Sequence, residues 1–375
     1  MKILISGGHL TPALALIDYF QKNDPQHEII FVGRRFSQKK LKQPAVEKYE
    51  IDKRDIEFIY FKAMRFSRST LLDWIFCKIP RFILSFFKAN QIIRKVKPDI
   101  FISFGGYLAV PLAMAAKLNK VNILTHEGTR ALGFANLFIA RMADKVALSY
   151  ELPTNKPIDP ERVVVTGNPI RAKVLEISST RPDWLEHEID KPILLVMGGN
   201  QGSLIINRII KLCLPNLLAD WVVVHQYGRP NKLGDYQQEV ETVLKNISTK
   251  KRSRYYLSPW VDDADLAWIY QHAAGAVSRA GANSVQELAT SKIPTVFIPL
   301  AQSHLDEQLK NAQFLAKNKA GIILLEKELS AENLFKALTQ LQKKQNEIKN
   351  NLKKLSLKNE TAEKLHQLII DLGNE

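Results

Sequence analysis

Short apolar runs recur along the chain, each closed by glycine or a polar residue and each followed by a stretch with helical spacing. In the first half the runs are KILIS (2–6), EIIFVG (28–33), FIYF (58–61), DIFISFG (99–105), NILTHE (122–127), KVALS (145–149) and RVVVTG (162–167). Their β-branched, nearly unbroken hydrophobicity predicts strands buried on both faces. Helices are expected at 12–22, 37–48, 70–95, 109–118 and 132–141. A polar stretch, 169–190, reads as a connector. The rhythm then restarts with PILLVMGG (192–199), WVVVHQYG (221–228), YYLSPW (255–260), AGAVSRAG (274–281), PTVFIPL (294–300) and GIILLE (321–326). Helices are expected here at 202–213, 234–245, 283–291 and 305–318, and the charged tail from 330 reads as helical. Strand-then-helix alternation predicts an α/β fold with two parallel, doubly wound sheets. No short repeat suggests a solenoid.

The chain has 375 residues, 46% hydrophobic and 24% charged, which is enough for two ordinary globular cores. Its formal net charge of +15 changes the picture, because it implies an anionic partner. The two cysteines, Cys77 and Cys213, lack metal-ligand spacing, and a reduced, intracellular protein is the expectation. The N-terminus reads as neither a signal peptide nor a spanning helix, and no apolar run reaches the roughly 18–20 residues that cross a membrane.

Ligands of such sheets sit beyond the carboxyl ends of the strands, and with two halves the space between them is the expected site. The candidate chemistry lies at those strand ends. ISGGHLTPALALI (5–17) places Gly7, Gly8 and His9 between a strand and a helix. SFGGYLAVPLAMAA (103–116) repeats the arrangement with Gly105, Gly106 and Tyr107, and MGGNQGSLIIN (197–207) with Gly198, Gly199, Asn200 and Gln201. A glycine turn before a helix lets backbone N–H groups approach an anion, or is a plain tight turn. In SRAGANSVQEL (278–288), Glu287 follows such a turn, where a carboxylate can accept two bonds from a ribose diol or sit on a solvated face. PLAQSHLDEQLKNA (299–312) carries Asp306, Glu307, Gln308 and Asn311, which are sugar-hydroxyl partners or a polar helix start capped by Ser303 or Asp306. His126 and Glu127 end a strand in THEGTRALGFAN (125–136), either as a base with its orienter or as a structural pair. Arg171 in TGNPIR (166–171) is placed to meet a diphosphate or to close a hinge salt bridge. Between 61 and 97, Leu71, Trp74, Ile75, Phe82 and Phe86 alternate with Arg81, Lys88 and other cations, with almost no acid. That pattern suits an anionic bilayer surface, or a core helix with snorkelling cations that Pro80 kinks or divides. No RNA-binding signature accompanies it, so nucleic acid is not expected as a partner.

Taken in order, GGH.TPALAL, FGGYLAVPLAMAAKL, HE....LGFAN..IAR.AD, TGNPIR, GGNQGS..IN, HQYG, RAGANSVQEL and IPLAQSHLDEQLKNA resemble the MurG family across nearly the whole chain. The resemblance implies a GT-B glycosyltransferase fold with two Rossmann-like domains. The first would be residues 1–168, for acceptor and membrane, with a C-terminal helix (about 358–375) packing back on it. The second, 169–357, would bind the UDP-sugar. It implies inverting, metal-independent transfer of N-acetylglucosamine from UDP-GlcNAc to the C4 hydroxyl of MurNAc in undecaprenyl-diphosphate-linked lipid I, giving lipid II, with no cofactor. It also implies a peripheral protein on the cytoplasmic face of the membrane, together with other cell-wall synthesis proteins. On this resemblance His9 is the general base and Glu127 a second catalytic residue. Arg171, Gly199, Asn200, Gln201, Val261 with Trp260, Ala282, Asn283, Glu287, Glu307, Gln308 and Asn311 would bind the donor. Gly7, Gly8, Gly105, Gly106, Tyr107 and Thr129 would line the acceptor side. The chain departs from the family pattern in a shorter first glycine loop, SGGH, in Thr129 and in Asn200. Two other readings keep the fold: transfer to a different lipid acceptor, and UDP-sugar binding without turnover.

Overall fold

The computed structural model describes residues 1–38, 43–44, 46–64, 78–129, 133–151, 158–199, 202–228, 236–355 and 360–374. The chain divides into two compact units, Met1–Arg171 with Asn359–Glu375, and Ala172–Lys358. Each has its own parallel sheet and its own apolar core.

In unit 1 the strands are β1 (Lys2–Ser6), β2 (Glu28–Gly33), a small hairpin of β3 (Phe36–Gln38) and β4 (Gln43–Pro44), β5 (Glu57–Tyr60), β6 (Ile100–Ser103), β7 (Asn122–Glu127), β8 (Lys145–Leu148) and β9 (Val163–Val165). The main sheet runs β5-β2-β1-β6-β7-β8-β9, with every neighbouring pair parallel. Its central strands are buried throughout, as an unbroken Ile/Val/Phe run demands. The order reverses between β1 and β6, the switch point of a doubly wound sheet.

Unit 2 repeats the plan with β10 (Ile193–Met197), β11 (Val222–Gln226), β12 (Tyr255–Ser258), β13 (Ala273–Ser278), β14 (Thr295–Phe297) and β15 (Ile322–Ile323). Its order is β12-β11-β10-β13-β14-β15, again parallel, with the reversal between β10 and β13. The α/β class with two parallel sheets expected from the pattern, and the two Rossmann-like domains the resemblance implies, are therefore those observed. Helix Thr361–Asn374 belongs to unit 1. It buries Leu365 and Ile369 completely in the core beside helix Leu10–Asn23, and His366 Nε2 meets Asp24 Oδ2 at 3.0 Å.

Three local expectations change. The helix expected at 37–48 is instead the β3–β4 hairpin followed by helix Val46–Asp52. Pro44 explains the start point, since it lacks an N–H and keeps its predecessor extended. The helix expected at 70–95 is described as Ile79–Val96, with Pro80 in its first turn, where a missing N–H costs nothing. Residues 70–77 of the expected helix lie outside the described residues. Helices Thr249–Arg252 and Asp263–His272 were not expected. The second buries five consecutive residues, Leu266–Tyr270, so its sequence shows no amphipathic period.

Each unit also holds one fully enclosed histidine. His126, at the end of β7, donates from Nε2 to the Gly167 carbonyl at 2.9 Å, and Ser149 Oγ reaches the same oxygen at 3.2 Å. Gly167 adopts φ +95°, and a Cβ there would lie 2.5 Å from Thr361 Oγ1. The histidine therefore holds a backbone turn against the start of the returning helix. In unit 2, His225 on β11 bonds Asn207 Oδ1 at 3.1 Å and the Tyr255 hydroxyl at 2.9 Å. Burial pushes His126 down to about 4 and His225 to about 3. Both stay neutral in the fold, whereas in the unfolded chain each takes a proton below about pH 6.5. Stability therefore rises with pH from those values to about 6.5, and is lost on acidification through that window. Urea midpoints should fall between about pH 7 and about pH 4.5. The fall should be smaller for unit 1 in His126→Gln, whose amide still donates to Gly167. A midpoint independent of pH would contradict this account.

Candidate active site

In unit 1 the chemistry gathers at the β1/β6 switch point. Gly7 N–H donates to Val32 O at 2.7 Å, and His9 N–H to Phe104 O at 3.3 Å. A Cβ on Gly8 would sit 2.1 Å from Gly105 O, and one on Gly106 would sit 3.1 Å from Gly8 Cα. The two glycine turns thus touch backbone to backbone. Gly105 and Gly106 have φ of +80° and +82°, which only glycine adopts freely. His9 occupies the N-cap position of helix Leu10–Asn23 without bonding the helix through its ring. His9 is exposed and stands at the carboxyl edge of the sheet, beside the paired turns. Tyr107 follows Gly106 directly and is partly exposed.

His126 and Glu127 do not form a pair. Adjacent strand residues point to opposite faces, and their partners differ accordingly. Glu127 is buried and accepts from Thr129 N at 3.0 Å, Thr129 Oγ1 at 2.8 Å, Gly133 N at 3.1 Å and Asn136 Nδ2 at 2.8 Å. Four donors of its own loop fill the carboxylate. In this structure Glu127 thus braces Thr129, Gly133 and Asn136. Asn136, which the motifs did not single out, lies 2.9 Å from where a Gly105 Cβ would be and so ties that loop to the glycine turn. Thr129 and Arg171 are both buried.

Of the expected membrane-facing residues, Leu71, Trp74 and Ile75 lie outside the described residues. Phe82 and Phe86 are half-buried and pack on the unit 1 core. They share a helical face with the buried Ala89, Ile93 and Val96. Ile79, Ile83, Leu84 and Phe87 are the exposed apolar residues of that helix, with Arg81 and Lys88 exposed beside them. Among the described residues, no helix is long and apolar enough to cross a membrane.

In unit 2 the β10/β13 switch point is built alike. Gly198, Gly199 and Gly202 lead into helix Leu204–Asp220, whose N-cap Ser203 accepts from Ile206 N–H. A Cβ on Gly202 would be 2.1 Å from Tyr227 O, whereas one on Gly199 would meet nothing within 4 Å. The first glycine is needed for close backbone approach. The second has φ +82°, a left-handed conformation that favours glycine. Asn200 and Gln201 lie outside the described residues. Asn207 Nδ2 donates to Tyr227 O at 3.0 Å, so the His225–Asn207 bond fixes the β11 end against this turn.

The second turn ends β13. Arg279 N–H donates to Met197 O at 3.2 Å, and Gly281 caps helix Ala282–Thr290 with no side-chain cap and no acid in its first turn. A Cβ on Gly281 would meet nothing within 4 Å. A helix start of this kind offers N–H groups and the positive end of the dipole to an anion. Ala282 and Asn283 open the helix and are partly exposed. Glu287 is buried one and a half turns on, where Tyr270 donates to its Oε2 at 3.0 Å. Asn311 donates to Ala280 O at 3.2 Å, and its buried Oδ1 has no partner among the described residues. Val261 is buried, and its N–H donates to Gln226 Oε1 at 3.1 Å. Trp260 precedes it, held by Ser258 Oγ.

The loop after β14 is folded on itself. Leu300 N–H donates to Gln308 Oε1 at 3.1 Å and Gln308 N–H to Ser303 Oγ at 3.3 Å, so Ser303 rather than Asp306 caps helix Glu307–Lys317. Leu305 and Asp306 both adopt left-handed backbone, φ 52° and 55°, a strained pair for non-glycine residues. Glu307 is half-buried beside them. Sequence reasoning gave no role to Asn136, Asn207, His225, Tyr270, Arg279 or Glu326, although the motifs LGFAN, GGNQGS..IN, HQYG and RAGANSVQEL contain the first three and Arg279. Their partners lie outside the motif that holds them or have no spacing that marks them as a pair. Among the described residues, no three His, Cys, Asp or Glu side chains gather as a metal site.

Comparison with known proteins bears on this arrangement. Residues 6–148 match the glycosyltransferase family 28 N-terminal domain, and residues 193–369 the glycosyltransferase family 28 C-terminal domain. A Clostridium botulinum protein is 31% identical over 96% of both chains. A Listeria welshimeri protein is 30% identical over 99% of both. Each is described as UDP-N-acetylglucosamine--N-acetylmuramyl-(pentapeptide) pyrophosphoryl-undecaprenol N-acetylglucosamine transferase. The crystal structure of MurG from Acinetobacter baumannii superposes with a TM-score of 0.68 at 23% identity over 99% of both chains. The calicheamicin glycosyltransferase CalG4 does so at 0.66 and 13%, covering 99% of this chain and 98% of its own, a likeness of fold alone. Two sheets with glycine turns at both switch points, matched over both halves by these relatives, place the chain in the MurG family, and it is a glycosyltransferase.

Proposed function

We propose that the protein transfers N-acetylglucosamine from UDP-GlcNAc to the C4 hydroxyl of MurNAc in undecaprenyl-diphosphate-linked lipid I, with inversion and without a metal, giving lipid II. The observation that carries the reading is the open, uncapped start of helix Ala282–Thr290 beside the buried Glu287. An anion-binding turn and a carboxylate one and a half turns further on suit the diphosphate and ribose of a nucleotide sugar. The activity named for the relatives supports the donor and the acceptor.

Unit 2 is the donor half in this reading. The Gly198–Gly199 turn with Asn200 and Gln201, and the start of helix Ala282–Thr290 at Ala282 and Asn283, bind the diphosphate, with Arg171, the last residue of the first segment of unit 1, as a further cation for it. Glu287 accepts from the ribose hydroxyls, and Trp260 and Val261 lie by the uracil. Glu307, Gln308 and Asn311 meet the sugar, and the unpartnered Asn311 oxygen suits a hydroxyl or amide donor. Unit 1 is the acceptor half, with Gly7, Gly8, Gly105, Gly106, Tyr107 and Thr129 around the lipid-linked substrate. His9 takes the proton from the C4 hydroxyl as its oxygen bonds the anomeric carbon. The bond from that carbon to the β-phosphate oxygen breaks, and UDP departs with the electron pair. Helix-start N–H groups and Arg171 stabilise the charge that develops on it.

The short SGGH turn favours a second reading, transfer to another lipid acceptor, because it leaves fewer backbone N–H groups for an acceptor diphosphate. UDP release with UDP-GlcNAc and a lipid I analogue decides between them, since release only with other lipid acceptors selects the second. Donor binding without release from any acceptor would leave only a binding protein. The exposed Ile79, Ile83, Leu84 and Phe87, with Arg81 and Lys88, support attachment to an anionic membrane at its cytoplasmic face.

Three outcomes are expected. His9→Ala lowers kcat by about 10²–10⁴ with little change in the Michaelis constant for UDP-GlcNAc. Undiminished turnover removes His9 as the base. Glu287→Ala raises that Michaelis constant about ten- to a hundredfold, the loss of charged hydrogen bonds to a diol, and an unchanged value refutes the ribose assignment. Ile83→Glu with Phe87→Glu weakens sedimentation with anionic vesicles while sparing activity on a water-soluble acceptor. Equal sedimentation of the two proteins would move the membrane contact elsewhere.

A further inference from the structure

Arg279 and Glu326 form an ion pair that the proposed chemistry leaves unused. Arg279 Nη1 lies 2.5 Å from Glu326 Oε1, with only 10% and 13% of the two side chains exposed. Charges so enclosed cost desolvation and are seldom retained for stability alone. Their other bonds show what they hold. Arg279 Nη1 also donates to Ile298 O at 3.1 Å, at the close of β14, and its own N–H bonds Met197 O at the close of β10. Glu326 Oε2 accepts from Ala301 N–H at 3.1 Å. The pair therefore ties together the ends of three strands and the first residues of the loop that carries Glu307, Gln308 and Asn311. Downstream of Ala301 that loop contains the consecutive left-handed residues Leu305 and Asp306. Such backbone persists only where its surroundings over-determine it. The Glu326–Ala301 and Gln308–Leu300 bonds hold the loop's two ends, and Asn311–Ala280 fixes the next helix to the turn that opens helix Ala282–Thr290.

We infer that Arg279 and Glu326 are positioning residues that set the 299–308 loop for the sugar of the donor and so determine how far a UDP-sugar is preferred to UDP. This rests on the donor reading of unit 2. Neither side chain touches substrate; each acts through the backbone of Ile298 and Ala301. The uridine and ribose contacts, at Val261 and Glu287, depend on other bonds and are left intact. The pair thus acts on recognition of the hexose and not on that of the nucleotide.

Calorimetry of the full chain with UDP and with UDP-GlcNAc tests this. In Glu326→Gln the ratio of the two affinities should shift against UDP-GlcNAc by about tenfold, the weight of one to two hydrogen bonds to sugar hydroxyls, while UDP binding moves less than about twofold. In turnover the Michaelis constant for UDP-GlcNAc should rise and that for the acceptor should not. The double variant Arg279→Met, Glu326→Leu guards against an unfolded single variant, because replacing both charges with apolar side chains removes the buried-charge penalty. It should fold and still show the shifted ratio. A wild-type ratio in either folded variant overturns the inference, since the pair would then serve stability only. Wild-type protein that binds neither nucleotide overturns the donor reading itself, and the inference with it.

Discussion

Everything at the two candidate sites follows from one steric demand. Where a parallel sheet reverses its order, two strand ends lie side by side and both must turn into helices. Backbone meets backbone there in unit 1, where a Cβ on Gly8 would stand 2.1 Å from Gly105 O; in unit 2 the like approach, Gly202 to Tyr227 O at 2.1 Å, falls beside the switch point, between the ends of β10 and β11. Glycine satisfies that demand. In doing so it leaves helix starts and unshielded N–H groups at one edge of each sheet. The edge proposed to face the ligands is thus a by-product of sheet topology, and the residues proposed for base and ribose contact stand next to it, His9 in one unit and Glu287 in the other.

Those added residues are held by buried polar groups whose hydrogen bonds are internally consistent. Tyr255 donates to His225, His225 to Asn207, and Asn207 to the Tyr227 carbonyl, so a neutral ring serves as donor on one side and acceptor on the other. Glu127 is filled by its own loop in the same spirit. Such groups rigidify turns that apolar packing alone would leave adjustable. The cost is sensitivity to protonation, which falls on the histidines because only they titrate near neutrality.

The sequence made the strands, the glycine turns and the two-sheet plan legible because each has a local signature: an unbroken apolar run, or glycine before a helix. It did not reveal which polar residues brace the turns. Arg279 and Glu326 are 47 positions apart, Asn207 and His225 eighteen, and nothing local marks them as partners. Nor did composition separate the two faces of helix Ile79–Val96. Phe82 and Phe87 look alike in a basic, aromatic stretch, yet only the first packs on the core, because the sheet lies on its side of the helix. Pro44 and the run Leu266–Tyr270 misled for opposite reasons, one a local veto on helix and the other a helix with no polar face.

The return of helix Thr361–Asn374 to unit 1 has a consequence for biogenesis. Unit 1 is discontinuous in sequence, and residues 172–358 are made before its last helix. At about 5–20 residues per second, that interval is roughly ten to forty seconds. Throughout it Phe20, Ile17 and their neighbours lack the covering that Leu365 and Ile369 supply. The nascent first half therefore emerges with an open apolar seam, and maturation of unit 1 waits on synthesis of unit 2. A chain released early would carry that seam permanently, which makes it a target for chaperones and proteases rather than a half-working enzyme.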